Sequence, residues 1–293
     1  MSIFFKDCKQ NKKSIITDKS NENEYEYENE NENNNEKKYN PQHCNITKED
    51  TINRFFIIPG SSSRSEYIAT KYLSNLKIKK HPRGHHLYLG NIKDTLYKVG
   101  VISTGMGCSS LDIIVSELIH VGAKYFIRIG TAGSFDLKKV KIGDIVVATA
   151  AVKDDSTSSV YSPVEFPAIA DRKLVNIIDN CSQNLNLQKK IHFGIVHTKS
   201  SLMAREFHCG YLASESKYYM NTLKSLGVLA SEMESSHLFI LGSTYNVKTA
   251  SILVVVGGED CPFSSDTIKN IKMNMDKAIT LALNTIRKSN YKL

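Results

Sequence analysis

The sequence predicts an α/β fold, a single three-layer domain whose mixed central sheet is covered by helices on both faces. Three observations predict it. From Asn53 onward, short apolar runs alternate with segments of helical periodicity. Several of those runs end in Gly, as strands that give way to turns do. The chain has 293 residues, 41% of them hydrophobic, which is enough to bury one sizeable core.

Taken in order, NRFFIIPG (53–60) reads as a strand entering a turn, and Ser65 to Leu76 follows with a helical pattern. TLYKVGVISTG (95–105) is a strand, and SSLDIIVSELIHVG after it is a helix with Gly122 as its C-cap. Further strands are expected at 124–130, 144–152, 191–198 and 249–258. Further helices are expected over Lys173–Leu187, Lys217–Leu226, Glu232–Tyr245 and Asp266–Lys288. In such sheets ligands bind beyond the carboxyl ends of the strands.

Residues 1–40 differ from the rest. NENEYEYENENENNNEKKYN is a low-complexity Asn/Glu tract with few aliphatic residues, so the expected division is a disordered tail over 1–40 and one domain over 41–293. The tail holds seven Lys and nine Asp/Glu, a net of −2, so the remainder carries +10 to give the total of +8. Those Lys and Arg are scattered among acids, which argues against nucleic acid and for a small anionic ligand. The six cysteines form no CxxC pair and share no metal-ligand spacing with the nine histidines, so reduced structural thiols are expected. No stretch has the length of a membrane span or of a secretory signal; the expectation is a cytoplasmic protein with no membrane partner.

Three strand-end loops draw attention. Pro59-Gly60-Ser61-Ser62-Ser63-Arg64 opens a helix with free N–H groups, hydroxyls and a guanidinium, and reads either as an anion cradle or as an ordinary capped turn. Ser103-Thr104-Gly105-Met106-Gly107-Cys108 is again strand, turn and helix. In Phe126-Ile127-Arg128-Ile129-Gly130-Thr131-Ala132-Gly133, Arg128 interrupts a run that should be buried. A buried guanidinium needs an anion, which is either an internal carboxylate or a bound oxyanion beside Thr131. A fourth stretch, ASEMESSH (230–237), places Glu232 and Glu234 either side of Met233; Ser231 with Glu234 three residues later also matches a helix-capping box.

Together, His43 with ITKED, IIPGSSSR, STGMG, FIRIGTAGSFD, GDIVV, SPVEFPAIAD and SEMESSH resemble, in order and spacing, the nucleoside phosphorylases of the trimeric or hexameric class, with the uridine phosphorylase branch nearest. The resemblance covers residues 43–290 and implies cleavage of a nucleoside's N-glycosidic bond by inorganic phosphate, giving free base and ribose 1-phosphate. It implies that Gly60, Arg64, Arg128 and Thr131 hold phosphate, and that His43, Met233 and Glu234 hold ribose. It implies too that Arg128 and Glu234 carry the catalysis and that no metal or organic cofactor is needed. It further implies self-association as a dimer or hexamer, with His43 and one of Arg83, His85 and His86 reaching a neighbouring site.

The resemblance places base binding at Ala132, Gly133, Leu202, Glu206 and His208, and there it breaks. The family's uracil-reading Gln-x-Arg becomes Glu206-Phe207-His208, a stacking aromatic becomes Leu202, and the purine branch's late Asp falls at Val256 and Gly257, with Glu259 and Asp260 slightly beyond. Glu206 suits a ring N–H but repels a neighbouring carbonyl. Uridine is the first expectation; a purine nucleoside phosphorylase or a non-catalytic nucleoside- or phosphate-binding homologue are the alternatives.

Overall fold

The computed structural model describes residues 41–185, 187, 190–258 and 265–291. The expected tail, and Glu259 and Asp260, lie outside the described residues. In chain order the elements are α1 Lys48–Thr51, β1 Arg54–Ile57, α2 Ser62–Tyr72, β2 Leu73–Lys79, β3 Leu87–Ile92, β4 Lys98–Val101, α3 Cys108–His120, β5 Tyr125–Ser134, β6 Ile145–Asp154, α4 Ser156–Tyr161, β7 Ala168–Ile169, α5 Arg172–Asn184, β8 Ile191–Lys199, α6 Leu202–Glu206, α7 Ala213–Ser225, β9 Ala230–Glu232, α8 Ser235–Thr244, β10 Lys248–Gly258 and α9 Ser265–Ser289.

The sheet is mixed, as expected. β1 pairs in parallel with β4 and β5, and β5 with β10, whereas β3 is antiparallel to β2 and β4. Alternate residues of β1 enter opposite cores: Phe56 and the following Ile58 pack with α3 and α8, while Phe55 and Ile57 pack with α2, α5 and α9. That alternation is what a strand covered on both faces produces, and it explains the unbroken apolar run FFII.

Beyond β5 the sheet bends round on itself. β10 joins β6, β6 joins β8, β8 joins β9, and β9 returns to β5. The short β9 therefore sits between two long strands, with Ser231 facing Gly133 on one side and His197 on the other. This closure brings residues distant in sequence to one strand end.

Three expectations need correction. The helix expected over Ser65 to Leu76 ends at Tyr72, and the chain continues as β2. β2 pairs with β3 alone and is largely exposed, so no apolar alternation announced it; Asn75, at φ 53°, breaks its register. β3, hidden in HHLYLG, was likewise not expected as a strand. The helix expected from Glu232 starts at Ser235, because Glu232 belongs to β9. Gly122, at φ 99°, does follow the last turn of α3, where a left-handed residue is needed. Among the described residues no helix is long and apolar enough to cross a membrane, and Cys44, Cys108, Cys181 and Cys209 are free thiols.

Candidate active site

A cavity of about 1140 Å³ opens at the carboxyl ends of β1, β5, β8, β9 and β10. Gly60, Arg64, Arg128, Thr131, Ala132, Gly133, Leu202, Glu206, His208, Met233 and Glu234 all line it. Eleven residues from six segments thus meet in one place.

Arg128 lies in mid-strand and is 3% exposed. Its Nη2 donates to Glu234, and its Nε stands 3.5 Å from Glu232 Oε2 without hydrogen-bond alignment. Nε and Nη1 are buried and find no acceptor among the described residues. The internal-carboxylate reading therefore holds for the charge, which is paired with both Glu232 and Glu234, while the N–H groups of Nε and Nη1 stay without acceptors, which is costly unless one arrives. Arg64, at the first turn of α2, donates from Nη1 to Ile129 O at 3.2 Å. Burial pulls its pKa down, and the Arg128 charge lowers it further, against a smaller pull from Glu234. Two guanidiniums repelling one another across a cavity wall are electrostatically suited to an oxyanion between them. Gly60 lies beside this pair, a Cβ there standing at ordinary contact distance, 3.4 Å from Gly105 O and 3.9 Å from Arg128 Nη2.

The two carboxylates of ASEMESSH have separate tasks. Glu232 caps α8: its carboxylate accepts from Glu234 N at 3.0 Å and from Ser235 N at 2.9 and 3.0 Å, and takes the Thr198 hydroxyl at 2.5 Å. Helix N–H groups left open at an N-terminus favour such an anion. The expected capping box of Ser231 with Glu234 is not formed; Ser231 turns to His197 Nδ1 and Lys199 Nζ, at 2.9 and 2.8 Å. Glu234 faces the cavity. It pairs with Arg128 and accepts from Gly107 N at 2.7 Å, at the N-terminus of α3. Burial raises its pKa; Arg128 opposes this, Glu232 adds to it, and the Gly107 N–H opposes it again. The turn before α3 depends on glycine, since Gly105 and Gly107 sit at φ 74° and 84° and a Cβ on Gly105 would lie 2.3 Å from Ser110 Oγ.

Some expected residues are elsewhere. His43 is not on the cavity wall; its Nδ1 and backbone N bond to the buried Glu117, at 2.7 and 2.8 Å. Arg83 and His85 line this chain's own cavity, and His86 instead accepts from His81 N. Burial lowers the pKa of His85, against a bond to Ser103. At the far end, Val256 and Gly257 line the wall with no carboxylate, at a break in the β5–β10 register. Leu202 is 45% exposed, and the aromatic rings on the wall are Phe135 and Phe207, which sequence reasoning passed over. It also passed over Lys199, which no motif marks. Among the described residues no group of three or more His, Cys, Asp or Glu is gathered as a metal site requires.

Converging guanidiniums beneath a buried carboxylate, set at the strand ends of a closed mixed sheet, define a site for an anion beside a hydroxylated molecule. The chain belongs to the phosphorylase superfamily, whose profile matches residues 54–287. It is 35% identical over 213 residues to a uridine phosphorylase of Treponema pallidum, covering 72% of this chain and 80% of that one. It is 31% identical over 216 residues to a DeoD-type purine nucleoside phosphorylase of a Thermoanaerobacter species, covering 71% and 84%. The fold matches the crystal structure of a uridine phosphorylase from Vibrio fischeri with a TM-score of 0.74 at 26% identity, covering 86% of this chain and 99% of that one.

Proposed function

We propose that this protein is a nucleoside phosphorylase, a pentosyltransferase that cleaves a nucleoside, uridine first, with inorganic phosphate to give free base and ribose 1-phosphate. The observation that carries this reading is Arg128, buried within β5 with Nε and Nη1 unsatisfied beside Arg64. Phosphate takes up those donors, with Gly60 and Thr131 completing the cradle, and needs no metal to be held there. Glu234 accepts from the ribose hydroxyls, and Met233 packs against the sugar. As the glycosidic bond lengthens, C1′ gains positive character, and the phosphate held below it is both nucleophile and counter-charge. The two carboxylates do not flank a scissile bond as a glycosidase pair does, since Glu232 is consumed by the α8 N-terminus.

His43 acts in a second copy. It is tied to Glu117 and does not line its own cavity, which supports a dimer or a hexamer in which it serves the neighbour's ribose. Bare Val256 and Gly257 favour uridine over a purine whose ring nitrogen needs an acid there. The test is a panel of uridine, thymidine, inosine, guanosine and adenosine, each with and without phosphate, following free base. Phosphate-dependent cleavage of uridine is expected. Cleavage of inosine alone would move the protein to the purine branch, and no cleavage at all would make it a non-catalytic binder.

A further inference from the structure

The base end of the cavity holds a positive charge that the mechanism above leaves unused. Lys199 closes β8 and is 2% exposed, a depth at which lysine is rare unless its charge is met. Its ammonium donates to Glu206 and, at 2.8 Å, to Ser231 Oγ. Ser231 stands 2.9 Å from His197 Nδ1, and His197 Nε2 stands 2.9 Å from Asp154 Oδ2. Arg205 grips the same Asp154 through two bonds of 2.6 and 2.8 Å.

The direction of this row follows from its ends. An ionised carboxylate accepts, so His197 donates from Nε2; its Nδ1 then accepts from the Ser231 hydroxyl, and Ser231 has a lone pair to offer Lys199. Two of the three ammonium N–H bonds are thus fixed by described groups, and the third is not taken up by any described residue. Lys199 lines the cavity, so that third donor is open to a ligand. Glu206 lies against Gly133, where a Cβ would be 3.6 Å from Oε1, and has a second oxygen, Oε2. Two residues on, His208 Nδ1 is buried on the same wall without a partner among the described residues.

We propose that Lys199 is a catalytic and specificity-determining residue, whose ammonium donates to a carbonyl oxygen of the leaving base while Glu206 accepts from the adjoining ring N–H. The inference rests on the phosphorylase reading above and deepens it. Lys199, Glu206 and His208 supply donor, acceptor and donor, which matches the carbonyl, N–H, carbonyl edge of uracil from either end. The repulsion that Glu206 alone exerts on a neighbouring carbonyl is removed by the lysine beside it. Cytosine, with a ring-nitrogen lone pair at the centre of that edge, meets the carboxylate with repulsion. In the step itself a phosphate oxygen bonds to C1′ as the C1′–N bond breaks, and the bonding pair passes to the base and delocalises onto the carbonyl oxygen. Lys199 meets that charge as it grows. The base anion then takes from water the proton that the ribosyl phosphate monoanion releases to it.

The test compares uridine with 5-fluorouridine, whose base is the better leaving group, in the wild type, Lys199→Met and Glu206→Gln, with thermal melts to establish folding. Lys199→Met should lower kcat on uridine about a hundredfold, lower it markedly less on 5-fluorouridine, and leave the KM for phosphate unchanged. Equal losses on both substrates, or a raised phosphate KM in a folded variant, would overturn the assignment. Should Lys199→Met not fold, Glu206→Gln decides: its amide N–H faces the cytosine ring nitrogen, so the uridine-to-cytidine ratio of kcat/KM should fall at least about tenfold. An unchanged ratio overturns the proposal, as does a wild type that prefers cytidine to uridine. If the wild type cleaves no nucleoside, the phosphorylase reading itself has failed and takes this one with it.

Discussion

At one end of the cavity the charged groups stand inside a strand and at helix N-termini, namely Arg128 in β5, Arg64 in α2 and Glu234 just ahead of α8. At the other end Lys199 closes β8, but Glu206 and His208 stand on the short α6 and the loop after it, where Phe207 is 63% exposed and His208 takes a positive φ of 50°. The first end is held by the sheet and by helix termini, which fits the proposed role in holding phosphate and ribose. The second is carried, Lys199 apart, by short, adaptable segments that can change side chains without disturbing the core. One end accordingly carries the chemistry of the family, and the other carries what distinguishes this member.

If that contrast is right, the largest effect belongs to the phosphate end. Arg128→Ala should reduce kcat/KM for phosphorolysis at least about a thousandfold, because it strips the nucleophile of its desolvated counter-charge. Calorimetric titration with phosphate should show no binding. The variant also leaves Glu232 and Glu234 buried without their guanidinium, so Arg128→Lys is the fold-sparing companion. The lysine keeps the charge but loses the fork, and an intermediate loss of affinity is expected. Phosphate affinity unaltered in a folded Arg128→Ala would leave the arginine a purely internal ion pair and erase the difference between the two ends.

Glu234→Gln sharpens the contrast one step further along the cavity. A charge-assisted bond to each ribose hydroxyl is weakened in the riboside, and one such bond is absent from the outset in the deoxyriboside. The loss in kcat/KM for uridine should therefore exceed that for 2′-deoxyuridine by roughly tenfold. Equal losses would mean that Glu234 serves Arg128 and not the sugar.

How far the sequence discloses each end follows from the same contrast. Arg128 was conspicuous because a guanidinium inside FIRIG violates the pattern of a buried strand, and the turn before α3 is punctuated by Gly105 and Gly107, which the backbone requires. Glu232 and Glu234 were visible, but their division of labour was not. Both carboxylates stand beside Arg128 on the cavity wall, yet they bond differently because β9 is extended through Glu232, which is left to cap the helix that starts only at Ser235. The capping pattern pointed to Ser231, which was instead claimed by a neighbouring strand. Lys199 was invisible for a stronger reason. Its partners Ser231 and Glu206 lie 32 and 7 residues away, and the ring closure that sets His197 opposite Ser231 is a property of strand order, which no local pattern encodes. β2 and β3 were missed on similar grounds, since an exposed strand paired on one side carries little apolar signal.

Glu232→Gln tests the division of labour directly. The amide keeps an acceptor for Ser235 N–H but turns an N–H₂ toward either Glu234 N–H or the Thr198 hydroxyl, where the carboxylate accepted from both. A stability loss of about 1–2 kcal/mol is expected, read as a melting temperature several degrees lower, with a smaller fall in turnover than Glu234→Gln gives. A turnover loss equal to that of Glu234→Gln without any change in melting would assign both carboxylates to the substrate.

The smallest effect expected is that of removing residues 1–40. Their composition offers charge and polarity but few aliphatic side chains, and the family match begins at residue 54. A chain starting at Pro41 should melt and turn over as the full-length protein does. The boundary is sharp, however, because the next few residues are anchored. The backbone N–H groups of Gln42, His43 and Cys44 and the ring of His43 all bond to the Glu117 carboxylate, which is 3% exposed, and Cys44 is fully buried among α3 side chains. Starting the chain at Asn45 removes those four hydrogen bonds from a buried carboxylate and empties the Cys44 site, so melting should fall markedly. Turnover should fall as well, because the same cut removes the histidine proposed to serve a neighbouring ribose. Two truncations four residues apart should therefore behave as opposites, and a tail whose loss already lowers melting or turnover at Pro41 would show that the domain begins earlier than the sequence implies.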